Sequence, residues 1–140
     1  MNTPLLLNAL GISIASTTVS TNPDGSVTFG SYQPGSGARI ISIGHNKPYT
    51  VYHELAHCIH DRLLPRHIQF ENLMQCEMVA DLVAIVLSIL DGDLPDPDRL
   101  SFQYSEDLIG DLLSALPIFV LILTYILNTL LWHPEITNEP

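Results

Sequence analysis

The sequence predicts an α+β fold in which a small antiparallel three-stranded sheet packs on a bundle of helices. Two observations support this prediction. Residues 12–44 contain three β-branched segments separated by the turn sequences NPDG and PGSG, which favour an antiparallel meander. Residues 47–132 contain longer apolar stretches with helical start and stop signals. The chain of 140 residues has the size of one domain, 1–140, made of a short helix and β-meander (1–46), helices (47–132) and a polar tail (133–140).

The first two thirds of the chain give clear helix boundaries. Residues 4–10 predict a short helix that ends at Gly11, because glycine tolerates the left-handed backbone that follows many helices. Pro48 suits the first turn of a helix that continues to Leu64, and Pro65 stops it. A further helix is predicted from about Glu71 to Leu90.

The last third predicts two helices separated by a proline. Ser105 is a suitable N-cap and is followed by acidic residues that favour a helix N-terminus. Pro117 would start a separate last helix that ends near Trp132. The uncharged run of residues 112–132 is long enough to cross a bilayer, but no Lys or Arg flanks it. We therefore favour a core helix or a homodimer contact over a membrane span.

The composition limits the classes of partner and the compartment. Five Lys and Arg residues stand against fifteen Asp and Glu, for a net charge of −10, which argues against direct binding of nucleic acid. Cys58 and Cys76 lie within predicted helices and suit free buried thiols in a reducing compartment. The apolar N-terminal stretch lacks the positive residues of a signal peptide, so we expect a cytoplasmic protein.

The segment VYHELAHCIHD, residues 51–61, contains the main candidates for metal binding and catalysis. On a helix, His53 and His57 share one face, and Glu54 stands beside them. This HExxH pattern is typical of two zinc ligands and a general base. A catalytic zinc site then needs a third protein ligand and leaves one position for water. The competing interpretation is that these are surface polar residues of an amphipathic helix.

The helix predicted from residue 71 to 90 offers the third ligand. Glu77 and Asp81 interrupt an otherwise apolar segment, and buried carboxylates are costly unless they are paired or bind a metal. The small residues Ala80 and Ala84 would allow this helix to approach the HELAH helix closely. Glu77 would then bind the metal, and Asp81 would orient a ligand histidine by accepting a hydrogen bond from its outer nitrogen. An ordinary structural carboxylate is the alternative for both.

Other polar residues near the motif are weaker candidates. His60 shares the ligand face but lies two turns from His53, so a structural role is favoured over metal binding. Tyr49 and Tyr52 are candidates for the lining of a substrate cleft, where either could stabilise an oxyanion. His45 and His133 are further candidates of this kind, and the sequence does not choose among them.

Several motifs together resemble a known family. The segments LLNALGISI, GSYQP, RIISIG, YTVYHELAH and CEMVADLVAIVL occur in the order of the zinc-metallopeptidase-like domain of ArdC-type antirestriction proteins of mobile elements, in the HExxH-plus-Glu class called gluzincins. HELAH and E-x-x-A-D are the specific motifs, and they resemble the ImmA/IrrE metallopeptidases equally well. The resemblance implies His53, His57 and Glu77 as zinc ligands and Glu54 as base.

The resemblance also shapes the functional expectation. ArdC-type proteins carry an N-terminal domain that binds single-stranded DNA, for which this chain has no room, so we do not transfer the DNA role. We expect a zincin-like α+β domain that acts as a zinc metallopeptidase on a protein or peptide substrate. The alternative is a catalytically silent, zinc-stabilised interaction module that binds a host or regulatory protein.

Overall fold

The structure is a computed structural model. It describes residues 1–16, 20–21, 23, 27–28, 30–32, 40–43, 48–64, 73–93 and 100–138. Within these ranges there are four α-helices: α1 (Thr3–Leu10), α2 (Pro48–Leu63), α3 (Leu73–Leu90) and α4 (Leu108–Trp132). Two short 3₁₀-helices, Ser101–Tyr104 and Pro134–Ile136, lie before and after α4.

Five short strands lie in the described residues between α1 and α2. They are β1 (Ser13–Ser16), β2 (Ser20–Thr21), β3 (Val27–Thr28), β4 (Gly30–Tyr32) and β5 (Ile40–Ile43). β5 lies between β1 and β4; it runs parallel to β1 and antiparallel to β4. β2 and β3 form a separate antiparallel pair, in which Thr21 is opposite Val27.

The predicted fold class is therefore wrong. The described residues are mostly helical, rather than forming a zincin-like α+β domain built around an antiparallel three-stranded meander. The strands contain only two to four residues each, and β1 pairs in parallel with β5. A parallel pair requires a crossover connection instead of a tight turn, so the turn sequences did not reveal the strand order. β-Branched residues favour extended backbone but do not choose its partner.

Both ends of α1 are capped, and the cap at Gly11 is the one that the sequence predicts. The side chain of Asn2 accepts a hydrogen bond from the backbone N–H of Leu5, at 3.1 Å. Gly11 has a φ of 69°, and its N–H donates to the carbonyl of Asn8 while that of Ile12 donates to Leu7. This left-handed cap ends the helix. Arg62 of α2 then donates to the carbonyl of Leu10 at 2.7 Å, which attaches the end of α1 to α2.

The core lies where α2, α3 and α4 pack together. α2 packs against α3, and α4 covers another side of α3. The side chains at these contacts are apolar and almost fully buried, and burial of this kind of surface is the main driving force for folding. They include Tyr52, Leu55, Ile59, Met78, Val79, Val83, Leu87, Ile122 and Ile126.

The boundaries of α2 and α3 agree closely with the sequence prediction. α2 begins at Pro48 and α3 ends at Leu90, as predicted. α2 ends at Leu63, one residue before the predicted Leu64.

α4 is one continuous helix, in contrast to the two helices predicted around Pro117. Proline removes the N–H that would bond the carbonyl four residues earlier, which weakens that turn. The carbonyl that loses its donor is that of Leu113. Gln75 of α3 donates its amide to the next carbonyl, that of Ser114, at 3.1 Å and so attaches this turn to α3. The N-cap is Asp107, which accepts from the N–H of Gly110, and Ser105 instead donates to Asp111.

One face of α4 is apolar and exposed. Leu113 is 63% exposed and Leu131 is 77% exposed, whereas Ile122 and Ile126 on the opposite face are fully buried. By length and composition α4 is the one helix of the described residues that could cross a membrane, and only 17% of its most apolar window is buried. The face of α4 that contains Ile122 and Ile126 is therefore the one that packs against the rest of the protein.

Candidate metal centre

Helical spacing brings the two motif histidines together. His53 and His57 are four residues apart on α2, so their rings lie on one face of the helix. Their Nε2 atoms are 3.2 Å apart, and the ring planes are nearly perpendicular, with centroids 4.8 Å apart. His57 is buried and His53 almost so. Both Nε2 atoms therefore face the same small volume beside α3.

Glu77 of α3 closes this volume. Its Oε2 atom is 3.0 Å from Nε2 of His53, and its Oε1 atom is 3.0 Å from Nε2 of His57. The carboxylate is one-third exposed, so the site opens to solvent on this side. Ligands about 2.0 to 2.1 Å from a tetrahedral ion lie about 3.3 Å from one another, close to these separations. His53, His57 and Glu77 could hold a metal ion.

Asp81 lies behind His53, one helical turn after Glu77. Its Oδ1 atom is 3.0 Å from Nδ1 of His53, on the opposite side of the ring from Nε2. The carboxylate is fully buried. A proton on Nδ1 directed at Asp81 leaves the lone pair of Nε2 free to bind a metal. The hydroxyl of Tyr49 also donates to Oδ1 of Asp81, and the rings of Tyr49 and His53 are 6.0 Å apart.

The charges of the cluster depend on one another. Burial lowers the pKa of His53, but Asp81 and then Glu77 raise it by a larger amount, to about 10. Burial raises the pKa of Glu77, yet its contacts with His53 and His57 hold that pKa well below its usual range. Without a metal, the cluster therefore contains a His53 imidazolium beside an ionised Glu77. A divalent cation would replace that proton as the positive charge.

Glu54 is adjacent to the ligands and is only 7% exposed. Burial raises the pKa of its carboxyl group; His57 and His53 act in the opposite direction, and Glu77 adds to the increase. A raised pKa makes a carboxylate a stronger base near neutral pH. The carboxylate predicted from the sequence to be a general base thus lies next to the three candidate ligands.

The weaker candidates are distributed differently. The hydroxyl of Tyr52 donates to Asp91 and lies 3.4 Å from Thr3, so it points away from the ligand cluster. His60 is fully buried and is outside the group of ligand atoms that converge. His133 follows α4 and contacts Glu135. His45 lies outside the described residues.

The contact between Tyr49 and Asp81 was missed by the sequence reasoning, which treated Tyr49 only as a candidate for the cleft. The available signal was spacing, because Tyr49 lies four residues before His53 and so shares its helix face. Tyr52 lies one residue before His53, on a different face. This difference in helix face explains why Tyr49, and not Tyr52, contacts the residues around His53.

Comparisons of the chain with models of protein families, with curated proteins and with solved structures found no match. The HELAH and E-x-x-A-D motifs, with the geometry of the residues they contain, are therefore the features that indicate a function.

Proposed function

We propose that this protein is a zinc-dependent peptidase that hydrolyses a peptide bond in a protein partner. The observation that carries the proposal is the convergence of His53, His57 and Glu77, with Glu54 buried beside them. Two imidazoles and one carboxylate are a usual ligand set of catalytic zinc, in which a position remains for water. The partly exposed Glu77 supports access from solvent on one side of the site.

The residues have distinct roles in this proposal. A bound zinc ion supplies Lewis acidity, polarising the scissile carbonyl and lowering the pKa of a water molecule to about 7. Glu54 accepts the proton of the attacking water and returns it to the leaving amine. The raised pKa of Glu54, caused first by its burial, suits this exchange because it makes the carboxylate a better proton acceptor. Asp81 holds His53 in the orientation in which Nε2 faces Glu77 and His57, where an ion would be held.

The resemblance to ArdC-type and ImmA/IrrE proteins supports a protein substrate and an origin in a mobile element. It also agrees with the cytoplasmic location expected from Cys58 and Cys76, which are both buried and form no disulfide with each other. The net charge of −10 supports a protein substrate over a nucleic acid.

The experiment is a comparison of Glu54→Gln with the wild type. Zinc content would be measured by elemental analysis, and cleavage with a library of quenched fluorescent peptides. Glu54→Gln should retain zinc and lose at least 100-fold in cleavage rate, since general-base catalysis contributes about 10²- to 10⁴-fold. Glu106→Gln, at an exposed carboxylate before α4, is the control and should cleave like the wild type. Full activity of Glu54→Gln would refute the mechanism.

One observation favours a second candidate, a metal-stabilised interaction module without turnover. The ligands come from two packed helices, so an ion would also fasten α2 to α3. In that case Glu54→Gln would keep its biological effect and its partner, whereas His53→Ala would lose both. Wild-type protein that contains zinc but cleaves no peptide in the library would favour this candidate.

A further inference from the structure

Tyr49 contributes to the cluster without being one of its ligands. It is buried in the first turn of α2, four residues before His53, and its hydroxyl donates to Oδ1 of Asp81. The same oxygen lies 3.0 Å from Nδ1 of His53. One carboxylate oxygen therefore accepts the hydrogen bond of the tyrosine hydroxyl and lies within ion-pair distance of the ring nitrogen of the metal-ligand candidate.

We infer that Tyr49 is a positioning residue that sets the metal affinity of the site by holding Asp81 against His53. Asp81 is fully buried and projects from α3. A carboxylate side chain has rotatable bonds, and a second donor fixes its oxygen in one place. With the oxygen fixed, the ring of His53 keeps the orientation and tautomer in which Nε2 faces Glu77 and His57.

This role replaces the cleft role that the sequence left open for Tyr49. A hydroxyl that stabilised an oxyanion would have to point to the open side of the site, near Glu77. The hydroxyl of Tyr49 instead bonds a carboxylate with no exposed surface, behind the ring of His53. Its effect must therefore reach the ion through Asp81 and His53.

Tyr52 provides a matched control on the same helix. It is also buried, and its hydroxyl also donates to a carboxylate, that of Asp91. Asp91 follows α3 and contacts the amino group of Met1 at 2.7 Å, and it is not part of the ligand cluster. Tyr52→Phe and Tyr49→Phe thus each remove a hydroxyl group and its hydrogen bond to a carboxylate. Only Tyr49→Phe removes a bond to Asp81, the residue behind His53.

The test measures zinc affinity by competition with a chromophoric chelator, so it requires neither a substrate nor activity. Tyr49→Phe should weaken zinc binding by about tenfold, at the lower end of the 10- to 100-fold cost of removing groups that support a ligand. Tyr52→Phe should leave the dissociation constant within about twofold of the wild type. Asp81→Asn should weaken binding at least as much as Tyr49→Phe.

A double variant separates positioning from a general loss of stability. If Tyr49 acts through Asp81, adding Tyr49→Phe to Asp81→Asn should weaken binding little further, because the effects of coupled residues do not add. The visible absorption of bound Co²⁺ should also change in Tyr49→Phe and not in Tyr52→Phe. Equal zinc affinity of wild type, Tyr49→Phe and Tyr52→Phe would overturn the inference, as would fully additive effects in the double variant.

The inference rests on the metal site of the proposed function, and the two can fail separately. If wild-type protein binds no zinc, the proposed function fails and the inference fails with it. If wild-type protein binds zinc and the tyrosine variants are indistinguishable, the inference alone fails. A site that binds zinc without cleaving peptides leaves the role of Tyr49 intact.

Discussion

The Nδ1 atom of His53 on α2 lies 3.0 Å from Oδ1 of Asp81 on α3, while Nε2 of the same ring lies 3.0 Å from Glu77. One imidazole thus contacts two carboxylates that are separated by one turn of the neighbouring helix. A shift of α3 along its axis by one residue, about 1.5 Å, would break both contacts. The geometry of the candidate site therefore depends directly on how α2 packs against α3.

We predict that the purified protein binds about one zinc ion per chain and that Glu77→Gln weakens binding strongly. The amide keeps the shape of the side chain but loses the negative charge and one of its two acceptor oxygens. Zinc content after dialysis, measured by elemental analysis, should fall well below that of the wild type. His57→Ala should lose the ion as well.

Glu106→Gln is the matched control for this prediction. Glu106 is exposed in the turn before α4, so its variant also removes one negative charge but touches no ligand. It should retain zinc like the wild type. If Glu77→Gln and Glu106→Gln retained zinc equally, Glu77 would not be a ligand.

We predict that the stability of the metal-free protein decreases between pH 6.5 and pH 9. The folded protein has a His53 pKa of about 10, above the ordinary value of 6.5 that applies to the unfolded chain. The folded state therefore binds the extra proton in this range, and the stabilisation is complete below pH 6.5 and is lost as the pH rises towards 10. Urea unfolding at several pH values, in the presence of a chelator, measures the slope.

Two variants show whether His53 is the source. His53→Gln should flatten the dependence on pH, whereas His133→Gln, in the exposed contact with Glu135, should leave it unchanged. The thiol of Cys58, whose pKa burial raises to about 12 from 9.0, affects stability only above this range. A wild-type slope that His53→Gln did not reduce would contradict the assignment.

Zinc binding should have the opposite dependence on pH. The ion must displace the proton of His53, so the apparent affinity should increase as the pH rises towards the pKa of about 10. This expectation uses the same samples as the stability measurement. A decrease in stability and an increase in zinc affinity over the same pH range would together show that the His53 cluster loses a proton in that range.

We predict that the two faces of α4 differ in their effect on stability. Ile126→Ala should lower the free energy of unfolding by about 2 to 5 kcal/mol, because a fully buried side chain leaves a cavity. Leu131→Ala should change it by less than about 0.5 kcal/mol, since this side chain is 77% exposed. Denaturant titration of both variants provides the comparison, and equal losses would mean that α4 presents a different face to the core.

The parts of the structure that depend on local sequence were predictable. The helix cap at Gly11 involves residues within a few positions of each other, and the i, i+4 spacing of His53 and His57 fixes their common face. Glu77 was recognisable because a carboxylate in an almost wholly apolar helix requires a partner. These local features account for the helices and for the ligand candidates.

The parts that depend on distant partners were not predictable. The turn sequences favoured a meander, but β1 pairs in parallel with β5, which lies more than twenty residues along the chain. The helix continues through Pro117 with support from Gln75, a residue of another helix. Tyr49 and Tyr52 have the same chemistry, and only the arrangement of α3 gives them different carboxylates.

The contact between the two ends of the described chain has a consequence during synthesis. The N–H of Asn2 donates to the carbonyl of Ile136 at 2.7 Å, and α1 packs against the last 3₁₀-helix. On the ribosome, α2 and α3 emerge long before Ile136, so they can pair while α1 still lacks this partner. A nascent chain stalled before residue 136 would thus lack this hydrogen bond of α1, while the contact between Arg62 and Leu10 would still attach the end of α1 to α2.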